Sequence, residues 1–173
     1  MNRVSPPMVI AIALPLLLAL VVAGIAITAP TDAPDSSPLA VAPVDAPDAG
    51  GADCASLLAA LPPDLSGLPA RPLAEPAQAG VRAWVASPRP VVLRCGLPRP
   101  AELTPTSELL EVDGVRWLRL DDGVPNPTTL TYVTVDRPVY VALTAPTGAG
   151  SGPLQHASDV IRTVLPATPV QVR

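Results

Sequence analysis

Three patterns of apolar and polar positions follow one another along the chain. Residues 8–29 contain no charged side chain and consist mainly of Val, Ile, Ala and Leu, interrupted by Pro15 and Gly24. At a rise of about 1.5 Å per residue, a run of this length crosses the ~30 Å hydrocarbon core of a bilayer. A single span in lipid must satisfy its own backbone groups, so a helix is expected, kinked at Pro15. Residues 30–52 then lose all apolar periodicity and fill with Pro, Ala, Asp and Ser, the composition of an extended, solvated tether. From Asp53 onward, short periodic segments alternate with turn residues.

Those segments predict a helix at each end of a set of strands. Asp53 is the expected N-cap of a short helix with Cys54, Leu57, Leu58 and Leu61 on one face, stopped by Pro62 and Pro63. Residues 64–79, broken by Pro69, Pro72 and Pro76, read as a loop. Strands are expected at 81–85 and 91–95, at 109–112 and 115–120, and at 130–135 and 139–144. Asp113-Gly114 is a strong two-residue hairpin signal between the middle two. Pro153 suits a first helical turn, and Leu154, Ala157, Ile161, Val164 and Leu165 mark one apolar face before Pro166. The expectation is an α+β domain: an antiparallel sheet of about six strands in hairpins, packed on one face by two short helices and preceded by one transmembrane helix. The order of the strands does not follow from this pattern.

The resulting organisation is a cytoplasmic N-terminus (1–7), a transmembrane signal-anchor helix (8–29), a Pro/Ala/Asp-rich flexible linker (30–52), an extracytoplasmic domain (53–166) and a tail (167–173). Arg3 precedes the apolar run and no basic residue follows it until Arg71, which keeps the N-terminus cytoplasmic and sends the rest outside. A cleaved signal peptide is the competing reading. Its apolar region is usually about 7–15 residues long, shorter than this one. Both readings export the domain.

Composition narrows the partners. Pro 25 and hydrophobic 49% together describe neither a disordered polymer nor an ordinary globule. With no Phe, the core must be built from Leu, Val and Ala around Trp84 and Trp117. All basic residues are Arg, spread without a cluster. The net charge of −4 comes largely from Asp32, Asp35, Asp45 and Asp48 in the linker. There is no basic stripe for a phosphate backbone, so nucleic acid is excluded as a partner.

Cys54 and Cys95 are the two cysteines. In an oxidising compartment an even pair is expected to form a disulfide, and here each shares an apolar face with core residues. A redox role is disfavoured by the absence of a C-x-x-C motif. The remaining chemistry is sparse. His156, Ser158 and Asp159 lie on the last helix, where residues two apart diverge, so they read as surface positions and not as a triad. One His and two paired Cys make no metal site. Asp121 and Asp122 with Glu102, Glu108 or Glu111 are the available carboxylates, and Asp-Asp-Gly is first a turn composition. No catalytic residue and no cofactor is assigned. Trp84, Arg94, Arg99 and Trp117 are candidate ligand contacts, offering stacking and oxyanion recognition.

Several stretches together resemble the actinobacterial domain-of-unknown-function family 3515. They are CASLLAALP (54–62), LPARP (68–72), Trp84 with VVLRCGLPRP (91–100), ELTPT (102–106), VDGVRW (112–117), residues 132–141 and the helix at 152–165. The LRCG-x-PRP and VDGVRW pieces are the more specific. The resemblance implies a single-span or secreted envelope protein and brings no catalytic residues with it. The leading expectation is a non-enzymatic interaction or scaffold domain, anchored by its N-terminal helix, with an envelope protein or cell-wall component as partner. A module for a small molecule or glycan is the alternative, and a carboxylate-dependent envelope enzyme a further one.

Overall fold

The computed structural model describes residues 16–20, 35–120 and 123–172. The chain divides into two compact units, residues 1–33 and 34–173. In the first unit residues 16–20 are helical. The rest of the expected span at 8–29 lies outside the described residues, and among the described residues no helix is long and apolar enough to cross a membrane.

The second unit has the expected α+β architecture. Helix α1 (Ala52–Ala60) is followed by a two-stranded ribbon, β1 (Asp64–Leu65) and β2 (Leu68–Pro69). Six strands come next: β3 (Val81–Trp84), β4 (Val91–Leu97), β5 (Leu109–Val112), β6 (Val115–Leu120), β7 (Thr129–Thr134) and β8 (Tyr140–Pro146). A single 3-10 turn (Thr147–Ala149) leads into helix α2 (Gly152–Val164). The six strands form one sheet in the order β3-β4-β8-β7-β6-β5, antiparallel throughout. An N-terminal hairpin and a C-terminal four-stranded meander are thus joined along β4 and β8.

Local chemistry explains most of these elements. Asp113 and Gly114 both have positive φ, 49° and 76°, as the tight β5–β6 turn requires. Ser66 and Gly67 do the same for the β1–β2 ribbon, where the Gly67 N–H donates to Asp64 Oδ1 at 2.7 Å. That ribbon falls inside the expected loop at 64–79, since strands of two residues leave no periodic trace. The N-cap of α1 is Gly51, not Asp53; the Asp53 carboxylate sits in the first turn instead, where the helix dipole favours an acid.

Both helices pack on one face of the sheet. Trp84, Leu93, Cys95, Trp117, Val141 and Leu143 point to that face and meet Leu57, Leu154 and Ile161 in the main core. Both indoles are fully buried, at 1% and 0% exposure. The disulfide joins Cys54 of α1 to Cys95 of β4, with Cα atoms 5.6 Å apart. Ser158 is a correction to the surface reading of the last helix. It is wholly buried, its Oγ accepting from Trp117 Nε1 at 3.0 Å and donating to Leu154 O at 2.8 Å. A buried indole N–H needs an acceptor, and a helical serine supplies one without leaving its own hydroxyl proton unpaired.

The opposite face is covered by irregular chain. Residues 35–49, expected as part of a free tether, run across β3 and β4 as a strap. Leu39 forms an isolated parallel bridge with Leu73, donating to Pro72 O at 2.8 Å and accepting from the Ala74 N–H at 2.9 Å. Leu39, Val41 and Leu73 pack on Val81, Ala83 and Val92. Arg71, itself buried, clamps the strap through Asp35 Oδ2 at 2.6 Å and Ser37 O at 2.7 Å. The Ser37 hydroxyl and backbone N–H, and then Arg71, hold the Asp35 carboxyl below its usual range. Further on, the Asp48 N–H donates to Gly96 O at 3.1 Å. Gly96 has φ +87°, lies in a register shift of β4, and any Cβ there would strike the backbone of Asp48 and Ala49. At the other end of this face, the tail docks through Thr168 N–H to Asp136 O at 2.9 Å, and Val170 packs against the Leu103, Leu118 and Val135 cluster.

Two stability measurements test this core. The disulfide closes a loop with a sequence separation of 41. Replacing both cysteines by alanine should therefore lower the unfolding free energy by roughly 4 kcal/mol, read by denaturant titration. Titratable thiols in the unreduced, denatured protein would contradict the bond. Ser158→Ala removes only the hydroxyl and strands the Trp117 N–H, and should destabilise by about 1–3 kcal/mol. A neutral result would mean that the indole finds another acceptor.

Candidate functional site

The helices stop short of one end of the sheet. At the start of β5 and β7 and the end of β8, beside the N-terminus of α2, the helix-side face opens into a cleft of about 330 Å³. Leu110, Leu130, Tyr132, Leu143, Ala145 and Leu154 line it. Alternation along the strands places these side chains there: Tyr132 pairs with Leu143 across β7 and β8, and Leu130 with Ala145. The rim is polar, with Thr147, Ser151 and Gln155 exposed. Leu110 remains 46% exposed on the wall. An apolar floor with a polar rim is the usual construction of a binding cleft.

A depression of about 550 Å³ continues from it, sharing Leu110 and Tyr132 and adding Glu102, Glu108 and Arg119. Arg119 is the cross-strand partner of Tyr132. Glu102 and Glu108 thus share one surface, both exposed. Glu111 points away and pairs with Arg116 at 3.6 Å across solvent. Asp121 and Asp122 lie outside the described residues. Among the described residues no group of His, Cys, Asp or Glu is arranged to hold a metal ion.

The other residues singled out in the sequence are spread through the fold. Trp84 is core, its Nε1 donating to Pro62 O at 3.3 Å. Trp117 is core on the serine of α2. Arg99 is a clamp: Nε donates to Gln171 O at 3.1 Å and Nη2 to Leu103 O, which ties the tail to the 100–108 loop. His156 Nδ1 accepts from the Ser66 N–H at 3.0 Å and so links α2 to the β1–β2 turn. Asp159 pairs with Arg162 one turn along α2, at 3.2 Å. Arg94 alone of the four ligand-contact candidates keeps an unspent polar group. Its Nε is shut off from solvent with no hydrogen-bond partner among the described residues, and burial pulls its pKa below the ordinary value.

Tyr132 and Leu110 were not singled out in the sequence, although a trace of the cleft was present. Two adjacent leucines at 109 and 110 place one apolar side chain on each face of an edge strand. Leu109 meets the back-face cluster, and Leu110 is left for the cleft.

No curated protein and no solved structure matches this chain. A family described as "Protein of unknown function (DUF3515)" matches it over residues 12–170, nearly the whole length and all of the sheet, both helices and the disulfide, and the chain belongs to that family.

Proposed function

We propose that this protein is a non-enzymatic interaction domain of the cell envelope, anchored by its N-terminal apolar segment, and that the cleft over Tyr132 receives an apolar group of an envelope partner. The observation that carries the reading is the cleft itself. It is preformed, about 330 Å³ in volume, apolar within and polar at the rim. Its most exposed apolar side chain, Leu110, stands where a partner would cover it. The Cys54–Cys95 bond supports an extracytoplasmic place, because disulfides persist in oxidising compartments. The uncharged run at 8–29, with Arg3 before it, supports the anchor and its orientation. Volume also favours a second reading, a small apolar ligand in place of a protein side chain, since the cleft falls within the range of small-molecule sites.

A photo-crosslinking residue at position 155, on the rim, should give a discrete adduct in intact cells, whereas one at position 172, on the tail, should not. Leu110→Asp should weaken that complex by roughly 10-fold or more, since a buried leucine contributes about 1.5–3 kcal/mol. Half-exposed in the free protein, Leu110 can be replaced with little change in Tm. An adduct of small mass would select the small ligand, and equal labelling from both positions would remove the site. Independently, alkaline phosphatase fused after Arg173 should be active in intact cells; an inactive fusion would overturn the extracytoplasmic placement.

A further inference from the structure

A separate site lies on the opposite face of the sheet. Arg94 projects there from β4, between Val81 of β3 and Ala142 of β8, its register partners on either side. The strap crosses above it. Between strap and sheet is a pocket of about 250 Å³, walled by Pro43, Val44, Ala49, Gln78 and Val81 as well as Arg94. No acidic side chain lines it.

Arg94 is half-buried, and the two arginines buried more deeply each have an acidic partner. Arg71 has Asp35, and Arg137, whose Nε is also occluded without a partner, has Asp136 at 2.9 Å together with the Gly114 carbonyl at 2.7 Å. Arg94 takes part in none of the ion pairs among the described residues, and its Nε is occluded and unpartnered. A guanidinium is permanently charged, so it cannot relieve this by losing a proton. If the position served only to cover the apolar surface of β3 and β8, an aliphatic side chain would do so without occluding a guanidinium N–H and partly desolvating its charge. The planar fork is built for a carboxylate or phosphate, which it holds through two parallel hydrogen bonds.

We propose that Arg94 and the pocket under the strap form a binding site for a small oxyanion, a carboxylate or phosphate group, which supplies the missing counter-charge. The volume admits the oxyanion and a few further atoms. The strap then forms one wall of the site, so occupancy and strap docking are linked: an anion that binds the docked form stabilises it.

The full chain, in uncharged detergent and low-chloride buffer, is titrated by calorimetry with inorganic phosphate and, separately, with acetate. At least one should bind saturably at one site per chain, and the responding anion identifies the source as phosphate-like or carboxylate-like. Arg94→Met should abolish the binding. Arg94→Lys, which keeps the charge but loses the fork, should weaken it by about 10-fold. Arg82→Met, at an exposed arginine of β3 on the other face, should leave it unchanged. Absence of saturable binding for both anions, or undiminished binding in Arg94→Met, overturns the proposal. A second measurement guards against misfolding. Without added anion, Arg94→Met should unfold at or above the native temperature, because a partly desolvated charge with an unpartnered N–H has been removed. A Tm lower by more than about 4 °C would show that the guanidinium has a structural partner, and would also overturn it.

Discussion

The pairing of β4 with β8 holds this domain together. The two strands are distant in sequence, and each belongs to a different supersecondary unit. Alone, the β3–β4 hairpin would be marginal in water, because one pair of strands has too little surface to bury. Docked on β8 it extends the meander into a sheet wide enough for two helices. Several other parts attach to β4. The disulfide ties α1 to it at Cys95, the strap crosses it at Gly96, and Leu93 and Val91 floor the main core.

This central position explains the composition of β4. Valine, leucine and cysteine fill the strand apart from Arg94 and Gly96, and both faces are buried. A strand covered on one side alternates; a strand covered on both sides reads as a continuous apolar run. The continuous run at 91–95 therefore already signalled a second cover. What it did not signal was the identity of the cover, since Leu39 and Val41 are two residues among prolines and alanines whose composition reads as solvated. Tertiary contact decided the matter. An extended Pro-rich segment has little backbone entropy left to lose, and two apolar side chains with a buried arginine clamp suffice to dock it.

The same division runs through the rest of the fold. The β5–β6 hairpin was legible because Asp113-Gly114 has a local stereochemical requirement. So were α2, from Pro153 and its apolar stripe, and the cysteine pair, from the faces the two residues share. Strand order was not legible, because β4–β8 pairing is non-local and carries no motif. Ser158 was misread because a serine on an amphipathic helix looks solvated until an indole N–H is brought to it. Of the ligand-contact candidates, the two tryptophans and Arg99 were chosen for chemical capacity that the fold spends internally. The apolar cleft escaped notice because its residues are ordinary strand leucines, and only their arrangement at an uncovered end makes a cavity.

The docked strap also moves the working boundary of the folded unit. A truncation beginning at Asp53, where periodic structure starts, would retain every strand, the disulfide and both helices but for the first residue of α1. It would nevertheless bare Val81 and Ala83 on the outer strand β3 and Val92 beside it, and would leave Arg71 without its ion-pair partner. An uncovered apolar surface next to a sheet edge invites self-association. Soluble fragments of this protein therefore need to start upstream of Asp35, even though the segment so included contributes no regular secondary structure beyond one bridge.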